Sequence, residues 1–222
     1  MTGVTRSSRF TGVVLAGGQS SRMGRDKAFV EVGDRALASI AADALRGAGA
    51  VEVMAVGGDR DRLAALGLDV RPDDHPGEGP LGAIVTALGL ADPLSSPDGI
   101  VMVLACDMPR IDAATVTAVV AALQARPDAD GAVPTLDGRR QILTAAYRTR
   151  LRPHLAAAFA AGERAPRRAL EGAVIVEVDD LDPERLADVD RPDDLHRYAH
   201  PHTSTGPAGA VQSDVQAERG SL

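Results

Sequence analysis

The sequence predicts an α/β fold on a mostly parallel sheet, and three observations carry that prediction. Apolar, strand-like runs alternate with amphipathic, helix-like runs along the chain, the order that a sheet covered by helices requires. Ile100–Ala105 (IVMVLA) is the most apolar run, with the unbroken, β-branched character of a central parallel strand buried on both faces. Gly12–Ala16 (GVVLA) is a short buried strand that runs directly into a glycine-rich loop.

The remaining elements follow in order. Leu37, Ile40, Ala41 and Leu45 share one face of a helix over Ala36–Ala50, with Gly47 and Gly49 as its stop. Val51–Val56 reads as a strand and Asp61–Leu66 as a short helix. A Gly/Pro-rich loop, DDHPGEGP, precedes a helix over Leu81–Ala91. Asp112 is an N-cap for a helix whose apolar positions are Val116, Val119, Val120 and Leu123. Strands are expected at Ala132–Pro134, Ile142–Tyr147 and Val174–Val178, helices at Arg150–Ala161 and Arg164–Glu171, and a last helix from Pro192. There is no internal repeat. From Pro201 the chain is polar and rich in Gly and Ser, so residues 201–222 are expected to be a disordered tail, and residues 1–9 a flexible start to a domain over 10–200.

A chain of 222 residues is long enough to bury a full core. Aromatic residues are only 2% and Trp is absent, so that core must come from Val, Leu, Ile and Ala. With 24 basic against 31 acidic residues the net charge is −7, which argues against a nucleic-acid partner without opposing a local phosphate site. The single cysteine, Cys106, excludes an intramolecular disulfide and a multi-cysteine zinc site. No run approaches the ~18 apolar residues of a membrane helix, and the first residues lack a signal-peptide core of about 7–15 apolar residues. The expectation is a cytoplasmic protein without a membrane association.

The loop LAGGQSSRMGRDK (Leu15–Lys27) carries the chemistry. Glycines after a strand let backbone N–H groups approach phosphate oxygens, and Arg22, Arg25 and Lys27 add three cations within a dozen residues. Spacing excludes two better-known phosphate loops. Gly17 and Gly18 are adjacent, which breaks GxGxxG, and Lys27 does not directly follow Gly24, which breaks the P-loop. Cations and glycines at a strand's carboxyl end sit where ligands bind in open α/β sheets. A bare glycine turn with solvated charges is the plainer alternative, and the preceding buried strand weighs against it.

LAGG-x-S-x-R-M-G-x-x-K closely resembles the opening motif of the molybdenum cofactor guanylyltransferases, and landmarks in the same order extend the resemblance over about residues 12–199. The resemblance implies a single Rossmann-like, three-layer α/β/α domain. It places Leu15, Ala16, Gly17 and Gly18 against the nucleotide, with Arg22 and Lys27 on its phosphates.

ACDMP (Ala105–Pro109) puts Asp107 just past the most buried strand, where a magnesium ligand facing a polyphosphate belongs. Asp112 is the better placed N-cap, and CDMP matches the family's metal motif. In ADVDRPDDL (Ala187–Leu195), Asp188 and Asp190 alternate on an extended segment and point the same way. The family has Asn at both places. Related cytidylyltransferases carry D-x-D here, and Asp190 is the candidate second magnesium ligand, with Asp188 a further one and a solvated acidic run the plainer alternative.

VRPDDHPGEGPLGAI (Val70–Ile84) resembles the family's base-side segment, whose base-contacting carboxylate falls on Asp73 or Asp74. A carboxylate suits guanine because it accepts from N1–H and the 2-amino group together. Gly79 and Pro80 shape the wall around the nucleotide. RRQILTAAY and AGER resemble the acceptor-side segments, where Arg139, Arg140, Arg164, Arg167 and Arg168 would suit a pterin phosphate, although each taken singly reads more readily as a solvated arginine.

The resemblance implies a magnesium-dependent transfer: the phosphate of molybdopterin, or of its molybdenum-loaded form, attacks the α-phosphorus of GTP and expels pyrophosphate. Molybdoenzymes or their chaperones would receive the product. Arg22, Lys27 and Asp107 are the catalytic residues of that reading, and the five His and Cys106 have none. The closest rival is the same transfer from CTP: Gly17 and Gln141-Ile142-Leu143 favour guanine, and Asp188 and Asp190 favour cytosine. Other small-molecule nucleotidyltransferases, a non-catalytic nucleotide-binding regulator and a Walker-type NTPase are more distant alternatives.

Overall fold

The computed structural model describes residues 9–17, 26–91, 98–189 and 194. Gly18, Arg22, Arg25, Asp190, the helix expected from Pro192 and the expected tail lie outside them, as does nearly all of the flexible start.

Strand β1 (Phe10–Leu15) sends Phe10 and Val14 to one face and Val13 and Leu15 to the other, and all four are buried. That two-sided burial is the signature of an interior strand. β1 pairs in parallel with β4 (Glu52–Val56) and with β6 (Ile100–Ala105). β4 in turn pairs in parallel with β5 (Asp69–Arg71). On the far side of β6 lie β9 (Thr144–Arg148), β7 (Gly131–Leu136) and β10 (Ile175–Val178), giving the order β10-β7-β9-β6-β1-β4-β5. β9 runs antiparallel to both neighbours, so it interrupts a sheet whose other long strands point one way. A short β8 (Arg139–Arg140) folds back on β7 across Asp137-Gly138, both at positive φ, as a two-residue Asp-Gly hairpin turn demands. A separate two-stranded ribbon joins β2 (Glu31–Val32) and β3 (Arg35–Ala36).

Helices cover both faces. α1 (Leu37–Gly47) and α4 (Ala113–Gln124) share one apolar layer with Phe10, Val14, Met102 and Leu104. α3 (Pro80–Leu90) and α5 (Arg152–Ala160) share the other with Val13, Leu15, Val101 and Val103. Ile100 to Leu104 are all buried; at roughly 1.5–3 kcal/mol for each large side chain, this strand is stable only at the centre. α4 begins as expected: Asp112 Oδ1 accepts from Thr115 N at 2.9 Å and from its hydroxyl at 2.8 Å. α2 (Arg60–Ala65) is capped by Asp59, α6 (Pro166–Ala169) starts at a proline, and α7 (Pro183–Leu186) is capped by Asp182. Single turns of 3₁₀ helix lie at Lys27–Phe29 and Thr149–Leu151. Among the described residues, no helix is long and apolar enough to cross a membrane.

Most expected elements stand within a residue or two. The helix expected over Arg164–Glu171 shrinks to Pro166–Ala169, because Glu163 turns back to accept from the N–H groups of Arg164 and Ala165. The helix expected from Arg150 begins as a 3₁₀ turn and becomes α-helical only at Arg152.

Candidate active site

From β1 the chain crosses to β4 and β5 on one side, then returns to β6 on the other. The order in which strands are added therefore reverses between the parallel β1 and β6, and a crevice opens at their carboxyl ends. The two motifs singled out in the sequence meet there. Leu15, Ala16 and Gly17 leave β1 on one side, while Ala105, Cys106 and Asp107 leave β6 on the other. Together with Asp26, Lys27, Pro80, Ala83 and Leu143 they line a cavity of about 200 Å³.

Lys27 sits in the 3₁₀ turn capped by Asp26, whose Oδ1 accepts from Ala28 N at 3.1 Å. This turn carries the lysine across to β6, where its Nζ donates to Asp107 Oδ2 at 3.1 Å. Both side chains are about one-fifth exposed, so the pair is far less screened than a surface ion pair while remaining open to a ligand. The amides of Ala16 and Gly17 do not point at the cavity as free donors. Both donate to Val56 O, at 3.0 and 3.1 Å, and tie the start of the loop to the end of β4.

A wider cavity of about 340 Å³ adjoins the first and shares Pro80, Ala105, Asp107 and Leu143 with it. Its far wall carries Arg140, Gln141, Arg167 and Asp188. Asp188 is brought there by its neighbour: Val189 is fully buried and its N–H donates to Asp107 O at 2.8 Å. Of the five arginines expected on this side, Arg140, which also pairs with Glu177 at 2.6 Å, and Arg167 line the cavity. Arg164 instead pairs with Glu78 at 2.8 Å and lies over the Phe159 ring, and Arg168 pairs with Glu163 at 2.6 Å. The Arg168 guanidinium holds the Glu163 carboxyl down at about 2, so this pair persists throughout the neutral range. Arg139 is exposed on β8.

Asp73 follows β5 and is half-buried, whereas Asp74 is exposed. Asp73 Oδ1 accepts from the Thr86 hydroxyl at 3.1 Å and from His75 N at 3.0 Å, and Asp74 N donates to Thr86 Oγ1 at 3.2 Å. Gly57 separates Asp73 from the loop. A Cβ placed on Gly57 would stand 3.7 Å from Asp73 Cβ and only 3.0 Å from Gly17 Cα. Gly79 takes φ +95° and caps α3, which presents Pro80 to both cavities.

Six predicted residues thus gather around one cavity: Leu15, Ala16, Gly17, Lys27, Pro80 and Asp107. Asp73 stands two strands from β1 along the same edge, after β5. Sequence reading passed over Asp26, Gly57, Gly58 and Thr86. Asp26 was visible as the acid beside Lys27 in GRDK, while the others matter only through packing. Burial, with Asp107 and Asp26 nearby, pushes the Cys106 thiol up to about 12, which keeps it neutral and poorly nucleophilic, in keeping with its having no assigned role.

A crevice between β1 and β6 of a Rossmann-like sheet, ringed by a cation and carboxylates, marks the class as one that binds a ligand at this edge. Comparison with known proteins narrows it. The model of the MobA-like NTP transferase domain matches residues 12–179, and the chain belongs to that family. It is 34% identical over 194 residues to the molybdenum cofactor guanylyltransferase of Rhodobacter capsulatus, covering 85% of this chain and 94% of that protein. A probable molybdenum cofactor guanylyltransferase of Pelotomaculum thermopropionicum is 44% identical over 101 residues, a match spanning 46% of each chain. The crystal structure of molybdopterin-guanine dinucleotide biosynthesis protein A from Archaeoglobus fulgidus shares the fold, with a TM-score of 0.67 at 23% identity over 86% of this chain and 97% of that one.

Proposed function

We propose that this protein transfers GMP from GTP to the phosphate of molybdopterin or of its molybdenum-loaded form, releasing pyrophosphate and leaving a guanine dinucleotide. The observation that carries this reading is the place of Asp107, at the junction of two cavities. The smaller, beside the loop and Lys27, suits a triphosphate, and the larger, with Arg140 and Arg167, suits a second, anionic substrate. A transfer between two bound phosphates needs a carboxylate and cations at such a junction, not a covalent nucleophile.

The choice of guanine rests on Gly17, on Gln141-Ile142-Leu143 and on the activity named for the relatives. Asp188 and Asp190 favour the CTP-dependent rival.

The carboxylates fit a magnesium ion. Asp107 and Asp188 face one cavity and offer the hard oxygen donors that Mg²⁺ prefers, and Asp107 already has a cationic partner in Lys27. Asp107 and Asp190 would hold the ion, with Asp188 beside them. When bound, it supplies charge neutralisation at the α-phosphate. The chain's own residues do the rest. Lys27, released from Asp107, and Arg22 balance the charge of the departing pyrophosphate. Arg140 and Arg167 orient the acceptor phosphate, which is already ionised at neutral pH and so needs no strong base. Pro80 and Leu143 form the apolar edge that both substrates meet.

The test is pyrophosphate release from GTP and from CTP, each with molybdopterin supplied. Release with GTP is expected. Release with CTP alone overturns the base assignment, and release with neither overturns the acceptor.

A further inference from the structure

We propose that Thr86 is a positioning residue for base selection: its buried hydroxyl holds the Asp73 carboxylate in the single orientation that reads guanine. This inference rests on the reading that Asp73 contacts the base. Thr86 lies within α3, facing inward, and is only 1% exposed. A hydroxyl in that setting is retained for the bonds it makes. It makes two, donating to Asp73 Oδ1 at 3.1 Å and accepting from Asp74 N at 3.2 Å. His75 N donates to the same Oδ1 at 3.0 Å.

Two of these three bonds reach the carboxylate, and both fall on the same oxygen. Oδ1 takes both donors, from the helix and from the loop, so the torsion of the carboxylate is set before any ligand arrives. With both lone pairs of Oδ1 taken, Oδ2 is left to accept from guanine, whose N1–H and 2-amino group lie side by side, and how it meets them depends on the plane of the carboxylate. A carboxylate free to rotate would have to be ordered on binding, at a cost in affinity that preorganisation removes.

The position of Asp73 relative to the loop supports the same role. Gly57 lies between it and Gly17, and the backbones meet closely: a Cβ on Gly57 would stand 3.0 Å from Gly17 Cα and 3.7 Å from Asp73 Cβ. Asp73 is thus held beside the start of the glycine loop, beyond the residues that line the cavity at the Lys27–Asp107 pair. A triphosphate beside Lys27 would leave the base on the Gly57 side, toward Asp73.

The experiment measures competitive binding of GTP, ITP and CTP, without acceptor, to the wild type and to Thr86→Val, Thr86→Ser and Asp73→Asn. ITP keeps N1–H and lacks the 2-amino group, so the GTP-to-ITP ratio isolates the second bond. Thr86→Val preserves shape and removes the hydroxyl. It is expected to weaken GTP about 10-fold, as loss of part of a charge-assisted pair implies, to narrow the GTP-to-ITP ratio and to leave CTP unchanged. Thr86→Ser is expected to behave as wild type.

Thr86→Val that binds GTP as wild type does overturns the inference while Asp73→Asn still loses GTP preference, and the base reading then stands. Equal weakening of GTP and CTP also overturns it, by assigning Thr86 a merely structural part, as does a Ser variant as impaired as Val. Asp73→Asn without effect on any of the three nucleotides overturns the base reading and the inference together.

Discussion

Lys27 and Asp107 hold each other at 3.1 Å, yet they serve opposite partners once substrates arrive. Phosphate draws the lysine, and a metal ion draws the carboxylate. The two side chains therefore predict opposite effects on nucleotide binding measured without metal. Asp107→Ala removes a negative charge from the crevice and breaks the Lys27–Asp107 pair, so GTP should bind as well as to the wild type or better. Lys27→Met removes the cation and leaves the carboxylate facing the phosphates, so GTP should bind more weakly. Turnover should fall in both, by about 10²–10³-fold, the usual loss when one group that stabilises transition-state charge is removed. Equilibrium binding beside steady-state pyrophosphate release separates the two. Undiminished turnover in Asp107→Ala would remove the metal role from that residue, and identical binding changes in both would mean that the pair acts only as a structural tie.

At the scale of elements, the end of β4 does more than its short length suggests. Val56 O accepts from the amides of both Ala16 and Gly17, and the turn that follows, Gly57-Gly58, takes φ of +71° and +76°. A Cβ on Gly58 would stand 2.9 Å from Ala16 O and 3.0 Å from Leu63 Cδ1. Gly58→Ala combines a left-handed alanine, at about 1–2 kcal/mol, with overpacking, at about 1–3 kcal/mol. A loss of about 2–5 kcal/mol in denaturant unfolding is expected, with weaker GTP binding because Ala16 must give way. Weaker binding without lost stability would mean instead that the glycine touches the nucleotide directly. This turn also marks where sequence reading ended. IVMVLA and LAGG could be read because burial and phosphate binding leave contiguous patterns. Gly57-Gly58 could not, since its necessity lies in a loop forty residues earlier. β5, only Asp69–Arg71 and half-buried, has no apolar run to announce it. The Asp137-Gly138 pair is a turn signal that the sequence reading passed over, so the β7–β8 hairpin was missed, and nothing in TAAYR discloses that β9 runs against its neighbours.

For the whole molecule, the β6 side of the sheet depends on a charged joint at its lower edge, opposite the crevice. Asp130 opens β7 and reaches two elements at once: its Oδ2 accepts from Val174 N at 3.0 Å, just before β10, and its Oδ1 accepts from Arg150 Nε at 2.9 Å, just after β9. Partial burial alone would raise this carboxyl, but the Val174 N–H and the Arg150 guanidinium outweigh it and hold the group below its ordinary value. A carboxyl lowered by folding contributes stability above its unfolded value, near 4. That contribution is lost as pH falls through the lower, folded value, because the native state must then take up the proton. Two results should follow. At pH 7, Asp130→Asn should unfold at lower denaturant, by about 1–2 kcal/mol, since one charge-assisted pair is lost and the side chain is three-quarters covered. As pH is lowered from about 5 toward 2, the gap between wild type and variant should close, because the wild type loses what the variant never had. A gap that stays constant over this range would assign the joint to packing of β7 against β10. The joint lies at the other end of the strands from Asp107, so GTP binding at pH 7 should be the same in both proteins.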